Sequence, residues 1–131
     1  TPGGPSSREA GTAPRPDERF RPEERIRRRT DYVAVYDRGR KIGGRLMTVF
    51  VLENAQGRPR LGIAATRKYG PAVARNRAKR LVREAFRRHK PSHGLDIVVV
   101  PRREMLGAAY ARVEADYLAA LGRRAAKHHG A

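Results

Sequence analysis

The chain has no cysteine and no tryptophan. Without cysteine, disulfides and thiolate metal sites are excluded, and the redox compartment is left open. Long apolar runs are missing too: nothing approaches the roughly 20 residues that carry a helix across a bilayer. The N-terminal stretch lacks the apolar segment of a secretory signal, so a cytoplasmic protein with no membrane partner is the expectation. Acidic residues are few, 13 Asp and Glu against 30 Lys and Arg in 131 residues, and the net charge is +17. Those acids are scattered. Asp31, Asp37, Glu53, Asp96, Glu104, Glu114 and Asp116 show no spacing that suggests a paired-metal nuclease site. His89 and His93 flank a helix end and a turn, and His128-His129 lies in the terminus; capping or solvation is the reading, and no metal site. No catalytic residue is expected in the chain.

What is present is positive charge in one place. Residues 67–90 hold ten basic groups and one acid, Glu84, so over half of the excess charge sits in under a fifth of the chain. A local field of this size concentrates polyanions and speeds their encounter. Nucleic acid is the commonest such partner, and an anionic membrane surface the lesser one.

Residues 1–25 read as a disordered tail, with five of the nine prolines, three glycines and one large apolar residue, Phe20. So little apolar surface does not offset the entropy of ordering. One folded domain is expected over residues 26–127, with residues 128–131 frayed. Thr30 or Asp31 suits the N-cap of a short helix through Tyr36, stopped by Gly39. Arg40 to Gly44 reads as a short extended piece, Leu46 to Leu52 as a strand, Asn54 to Gly57 as a turn and Arg60 to Thr66 as the second strand of a hairpin. Pro71 suits the first position of a helix running to His89. Leu95 to Val100 reads as a strand, and a last helix over residues 107–126 offers Tyr110, Val113, Tyr117, Leu118 and Leu121 on one side. The order predicts an α+β fold, a two-layer sandwich of about four strands with helices packed on it. Residues 60–66, 71–89 and 95–100 make a βαβ unit, for which a right-handed crossover is the usual rule.

The helix over residues 71–89 has two opposed faces. At about 100° per residue, Ala78, Leu81, Val82, Ala85 and Phe86 share one arc, which is the core face. Asn76, Arg80, Arg83 and Arg87 form a stripe opposite it, flanked by Lys79 on one side and by Arg77 and Arg88 on the other. Arg75 lies nearer the apolar arc in the first turn, and Arg67 and Lys68 precede the helix start, where free N–H groups also attract anions. Glu84 can pair with Arg80 or Arg88 at i±4 but cannot neutralise the rest. Guanidinium forks suit bidentate contact with phosphate and stacking on bases, and Asn76 suits a base edge or a ribose hydroxyl.

Arg75-Asn76-Arg77-x-Lys79-Arg80-x-x-Arg83-Glu84-x-Phe86-Arg87 resembles the signature of the bacterial ribonuclease P protein family. Arg38-Gly39-Arg40 with Gly44-Arg45, Pro59 to Gly62 leading to Arg67-Lys68-x-Gly70, and Gly94-x-Asp96-x-Val98-Val99-x-Pro101-Arg102 resemble further stretches of that family, in family order from about Arg25 to Leu121. The resemblance implies a fold like the second domain of ribosomal protein S5, with a left-handed crossover. It implies that Arg67, Lys68, Arg75, Asn76, Arg77, Lys79, Arg80, Arg83 and Arg87 face a catalytic RNA subunit. It also implies a cleft between the sheet and helix 71–89, where Tyr32, Tyr36 and Phe50 stack on the 5′ leader of precursor tRNA. One protein per RNA is expected, with Mg²⁺ and the active site in the RNA subunit, so the protein alone would not cleave. Two positions depart from the family: it often has Phe in place of Tyr32 and Asn in place of Pro71. The alternatives are a structural RNA-binding protein, a helix-turn-helix DNA-binding protein, and a nuclease that needs no RNA.

Overall fold

The computed structural model describes residues 20–130, and side chains as far as residue 123. Three helices, α1 (Arg29–Arg38), α2 (Ala72–Arg88) and α3 (Tyr110–Gly130), accompany four strands, β1 (Arg40–Gly43), β2 (Met47–Glu53), β3 (Arg60–Ile63) and β4 (Leu95–Pro101). The expected α+β class and four-stranded sheet are present.

The strands lie in the order β1-β2-β4-β3. β1 and β2 form the antiparallel hairpin, β2 pairs antiparallel with β4, and β3 pairs parallel with β4. The expected hairpin between residues 46–52 and 60–66 is therefore corrected: β4 inserts between those two strands. The reason lies in β4 itself, whose residues Leu95 to Val99 are all buried. A strand covered on both faces takes the centre of a sheet, and the shorter β3, which carries Arg60, is left at the edge. The βαβ unit of β3, α2 and β4 stands as expected.

Both faces of the sheet are covered, because successive side chains of β2 and β4 point to opposite sides and both sets are mainly apolar. On one face Met47, Val49, Val51, Leu95, Ile97 and Val99 meet Ala78, Val82, Ala85 and Phe86 of α2 and Val113, Tyr117 and Ala120 of α3. On the other, Val98 with the half-buried Phe50, Leu52 and Val100 meets Ile26, Tyr32 and Val35 of α1 and its approach. The two-layer arrangement thus gains a third layer, the single helix α1.

Element ends differ from expectation for local reasons. α1 starts at Arg29, because the Arg28 carbonyl accepts the Asp31 and Tyr32 N–H groups; Arg28 is the N-cap and not Thr30 or Asp31. Pro71 is the N-cap of α2, one position before the first helical residue. Leu118 is 38% exposed, since the buried residues of α3 follow i, i+4, i+7 through Val113, Tyr117 and Ala120 and leave Leu118 about 100° away. The expected tail lies outside the described residues up to residue 19. Its last six residues are ordered against the sheet edge: Phe20 meets Phe86 edge-on with centroids 5.6 Å apart, Pro22–Glu24 form a 3-10 turn with Glu24 buried, and Ile26, just beyond, donates its N–H to the Leu61 carbonyl at 2.9 Å. This segment runs along β3 and covers the sheet edge. α3 is helical through Gly130, into the residues expected to fray.

Candidate nucleic-acid interface

α2 presents its core face as the periodicity requires: Ala78, Val82, Ala85 and Phe86 are buried and Leu81 is half-buried. Its cationic residues divide into three groups. Arg67 and Lys68 occupy an exposed turn whose Tyr69 ring is buried, and Asn76 and Arg80 are exposed on the helix. These four, with the half-buried Lys79, make no side-chain hydrogen bond or ion pair among the described residues. Arg75 and Arg77 are partly engaged within the chain. Arg75 donates to the Gly70 carbonyl at 2.9 Å, holding the turn that presents Arg67 and Lys68. Arg77 donates to the Ala108 carbonyl at 2.8 Å, tying α2 to the start of α3. Arg87 is bound to Glu84 at 2.6 Å, as is Arg88 at 2.7 Å, so the expected choice between Arg80 and Arg88 falls to Arg88. Arg87 hydrogen bonding, opposed by burial and reinforced by Arg88, holds the Glu84 carboxyl below its ordinary range.

Arg83 is the third kind. It is half-buried at the β3 edge, 6.0 Å from the Phe20 ring centroid, while Arg25 lies 5.1 Å from the same ring. Burial and then the Arg25 charge lower its pKa, and the Tyr32 hydroxyl acts against them. The basic face of α2 therefore continues round the edge of the sheet toward Tyr32.

The three rings form a chain on the α1 face. Tyr32 and Tyr36 have centroids 6.4 Å apart, and Tyr36 meets Phe50 edge-on at 5.0 Å. Tyr36 is exposed, whereas Tyr32 and Phe50 are half-buried. Burial raises both tyrosine pKa values, and the Ile63 backbone bonds the Tyr32 hydroxyl. Tyr32 lies against Gly62, where a Cβ would come within 2.6 Å of its hydroxyl oxygen. These rings do not lie between the sheet and α2, as expected, but on the opposite face of the sheet. Phe50 alternates with Val49 and Val51, which point to α2 and α3, so Phe50 must point to α1.

The sequence reading missed two features. Phe20 and Arg25 belong to the margin of this region, and the signal was Phe20 itself, a lone large apolar residue in a polar stretch. Asp96, one of the scattered acids for which the sequence reading has no role, is buried and bound by Arg60 at 2.6 Å and by the Asn54 amide at 2.7 Å. Arg60 also reaches Asp31 on α1 at 3.5 Å, so this network fixes α1 against the sheet. Among the described residues, no three His, Asp or Glu groups cluster as metal ligands. No helix there is long and apolar enough to cross a membrane.

A helix face whose Arg67, Lys68, Lys79 and Arg80 meet no acid among the described residues, and which reaches through Arg83 toward three aromatic rings, has the chemistry of a nucleic-acid-binding surface. The Ribonuclease P family model matches residues 20–125. The ribonuclease P protein component of Desulfovibrio desulfuricans is 46% identical over 110 residues, covering 79% of this chain and 84% of that protein. That of Thermotoga maritima is 40% identical over 90 residues, covering 67% and 77%. Among solved structures, the Staphylococcus aureus RNase P protein superposes with a TM-score of 0.71 at 29% identity, covering 77% of this chain and 94% of that one. The Thermotoga maritima RNase P protein gives 0.69 at 36% identity, covering 76% and 96%. The chain belongs to the ribonuclease P protein family.

Proposed function

We propose that this chain clasps the RNA subunit of ribonuclease P with the outer face of α2 and holds the 5′ leader of precursor tRNA along Tyr32, Tyr36 and Phe50. The ribonucleoprotein hydrolyses one phosphodiester bond and leaves the mature tRNA 5′ end. The observation that carries this reading is the set Arg67, Lys68, Asn76, Lys79 and Arg80, whose side chains meet no acid among the described residues. Charge left open by the protein is closed by phosphate. Arg75 and Arg77 shape that face and keep guanidinium donors for the RNA, and Arg83 links it to the rings. The absence of a second helix directly before α2, where β3 and a loop stand, argues against a helix-turn-helix reader.

Bond cleavage belongs to the RNA subunit in this reading, and Mg²⁺ is held there. Among the described residues no three His, Asp or Glu groups gather to hold the ion. The protein works in the cytoplasm, one copy per RNA, by screening phosphate repulsion and by favouring leader-bearing substrate over product. Reconstitution with a ribonuclease P RNA at low Mg²⁺ tests this. Cleavage of precursor tRNA should require the RNA and be strongly stimulated by the protein. Cleavage by the protein alone, or no stimulation, would overturn it.

A further inference from the structure

A cavity of about 550 Å³ opens where the turn between β1 and β2 meets α3, and none of its lining belongs to α2. Arg45, Arg112 and Arg123 line it together with one acid, Asp116. Asp116 is already occupied. Its two oxygens accept the backbone N–H groups of Arg45 and Leu46, each at 3.0 Å. No guanidinium stands within ion-pair distance of it among the described residues. The carboxylate instead shapes the turn: a Cβ at Gly44 would collide with Asp116 and come within 2.9 Å of the Met47 carbonyl. Arg123 donates to the Gly43 carbonyl at 2.8 Å, which holds its fork over the same opening. The side chains of Arg45 and Arg112 have no hydrogen-bond or ion-pair partner among the described residues.

We infer that this corner is a second phosphate-binding site, separate from the α2 face. Three guanidinium groups border one cavity with a single acid, which accepts from backbone donors and forms no ion pair among the described residues, so the lining keeps an excess of positive charge. Guanidinium matches the planar, multi-oxygen chemistry of phosphate, and the volume lies within the range of small-ligand sites. The source of that phosphate is the backbone of the RNA subunit, a point that rests on the reading given above. A protein with two such contacts grips a folded RNA in one orientation, which one stripe of charge does not impose.

The test uses the whole chain and the double variant Arg45→Ala/Arg112→Ala, which removes side chains without internal polar contacts. Titration of wild type with inorganic phosphate should shift the backbone amide resonances of residues 43–46 in a saturable way, and the variant should lose that response. Its affinity for ribonuclease P RNA should fall about tenfold, with a salt slope shallower by roughly two, one per phosphate contact. A control, Arg29→Ala/Arg103→Ala, removes equal charge elsewhere and should lose less. Amide shifts with an RNA affinity no worse than the control would make free phosphate the ligand of the same site. No saturable shift together with control-like affinity would overturn the site. Arg80→Ala, measured alongside, separates the two proposals: loss there with none at the corner sinks only the second site, whereas no loss at either sinks the RNA-binding reading.

Discussion

At the α1 corner, Arg60 is met by Asp96 at 2.6 Å and by Asp31 at 3.5 Å, whereas on the outer face of α2 Arg80 meets no acid among the described residues. The same side chain serves two ends. Half-buried against the buried Asp96, it must be paired, because an uncompensated charge in a medium of low dielectric is expensive. Exposed and unpaired, it contributes little to the fold and much to a long-range field. The difference teaches where the missing negative charge has to come from. The corner closes its own charge, and in the reading proposed above the helix face is closed by RNA.

This contrast can be broken in order of size. Asp96→Ala takes its main partner from the half-buried Arg60 and an acceptor from Asn54, and should lower stability by about 3 kcal/mol, read by denaturant unfolding. A loss under about 1 kcal/mol would mean that the network is not a structural clasp. Tyr36→Ala should weaken binding of leader-bearing precursor by about 1–3 kcal/mol, the worth of one stacked base, and leave mature tRNA nearly unchanged. Equal loss for both ligands would remove the ring groove from the leader path.

Glu84→Gln removes the one acid of the α2 face and its ion pairs with Arg87 and Arg88, and should raise RNA affinity a few-fold, with a salt slope steeper by about one. It also carries a pH signature. The Glu84 carboxyl is held below its ordinary range, so its stabilisation is present above the unfolded pKa and is lost as pH falls through the folded one. Between neutral and acid pH the variant should therefore lose less stability than wild type. The smallest effect is expected at Tyr117, whose hydroxyl is buried with no partner among the described residues and whose pKa burial pushes up. Tyr117→Phe should be neutral or stabilising by up to about 1 kcal/mol in thermal unfolding.

The faces of α2 were legible because a helix turns by a fixed angle, so Ala78, Val82, Ala85 and Phe86 had to lie together and Arg80 had to lie opposite. Strand order was not. The turn at Asn54 looks like a hairpin from nearby sequence, and only burial of both faces of β4 forces that strand to the centre. The three rings came from family resemblance, and their face was misplaced although the alternation of β2 already set Phe50 against Val49 and Val51. The roles of Arg75 and Arg77 could not be read at all: their acceptors are backbone carbonyls of Gly70 and Ala108, which carry no side-chain signature. Asp96 was underrated because its partners, Asn54 and Arg60, are 42 and 36 residues away.

The claim that the outer face of α2 is closed by RNA phosphate is tested most directly by the salt dependence of binding to ribonuclease P RNA. For Arg80→Ala, log affinity against log salt should be shallower than wild type by about one, with folding stability within about 0.5 kcal/mol. An unchanged slope in a folded variant would contradict the account.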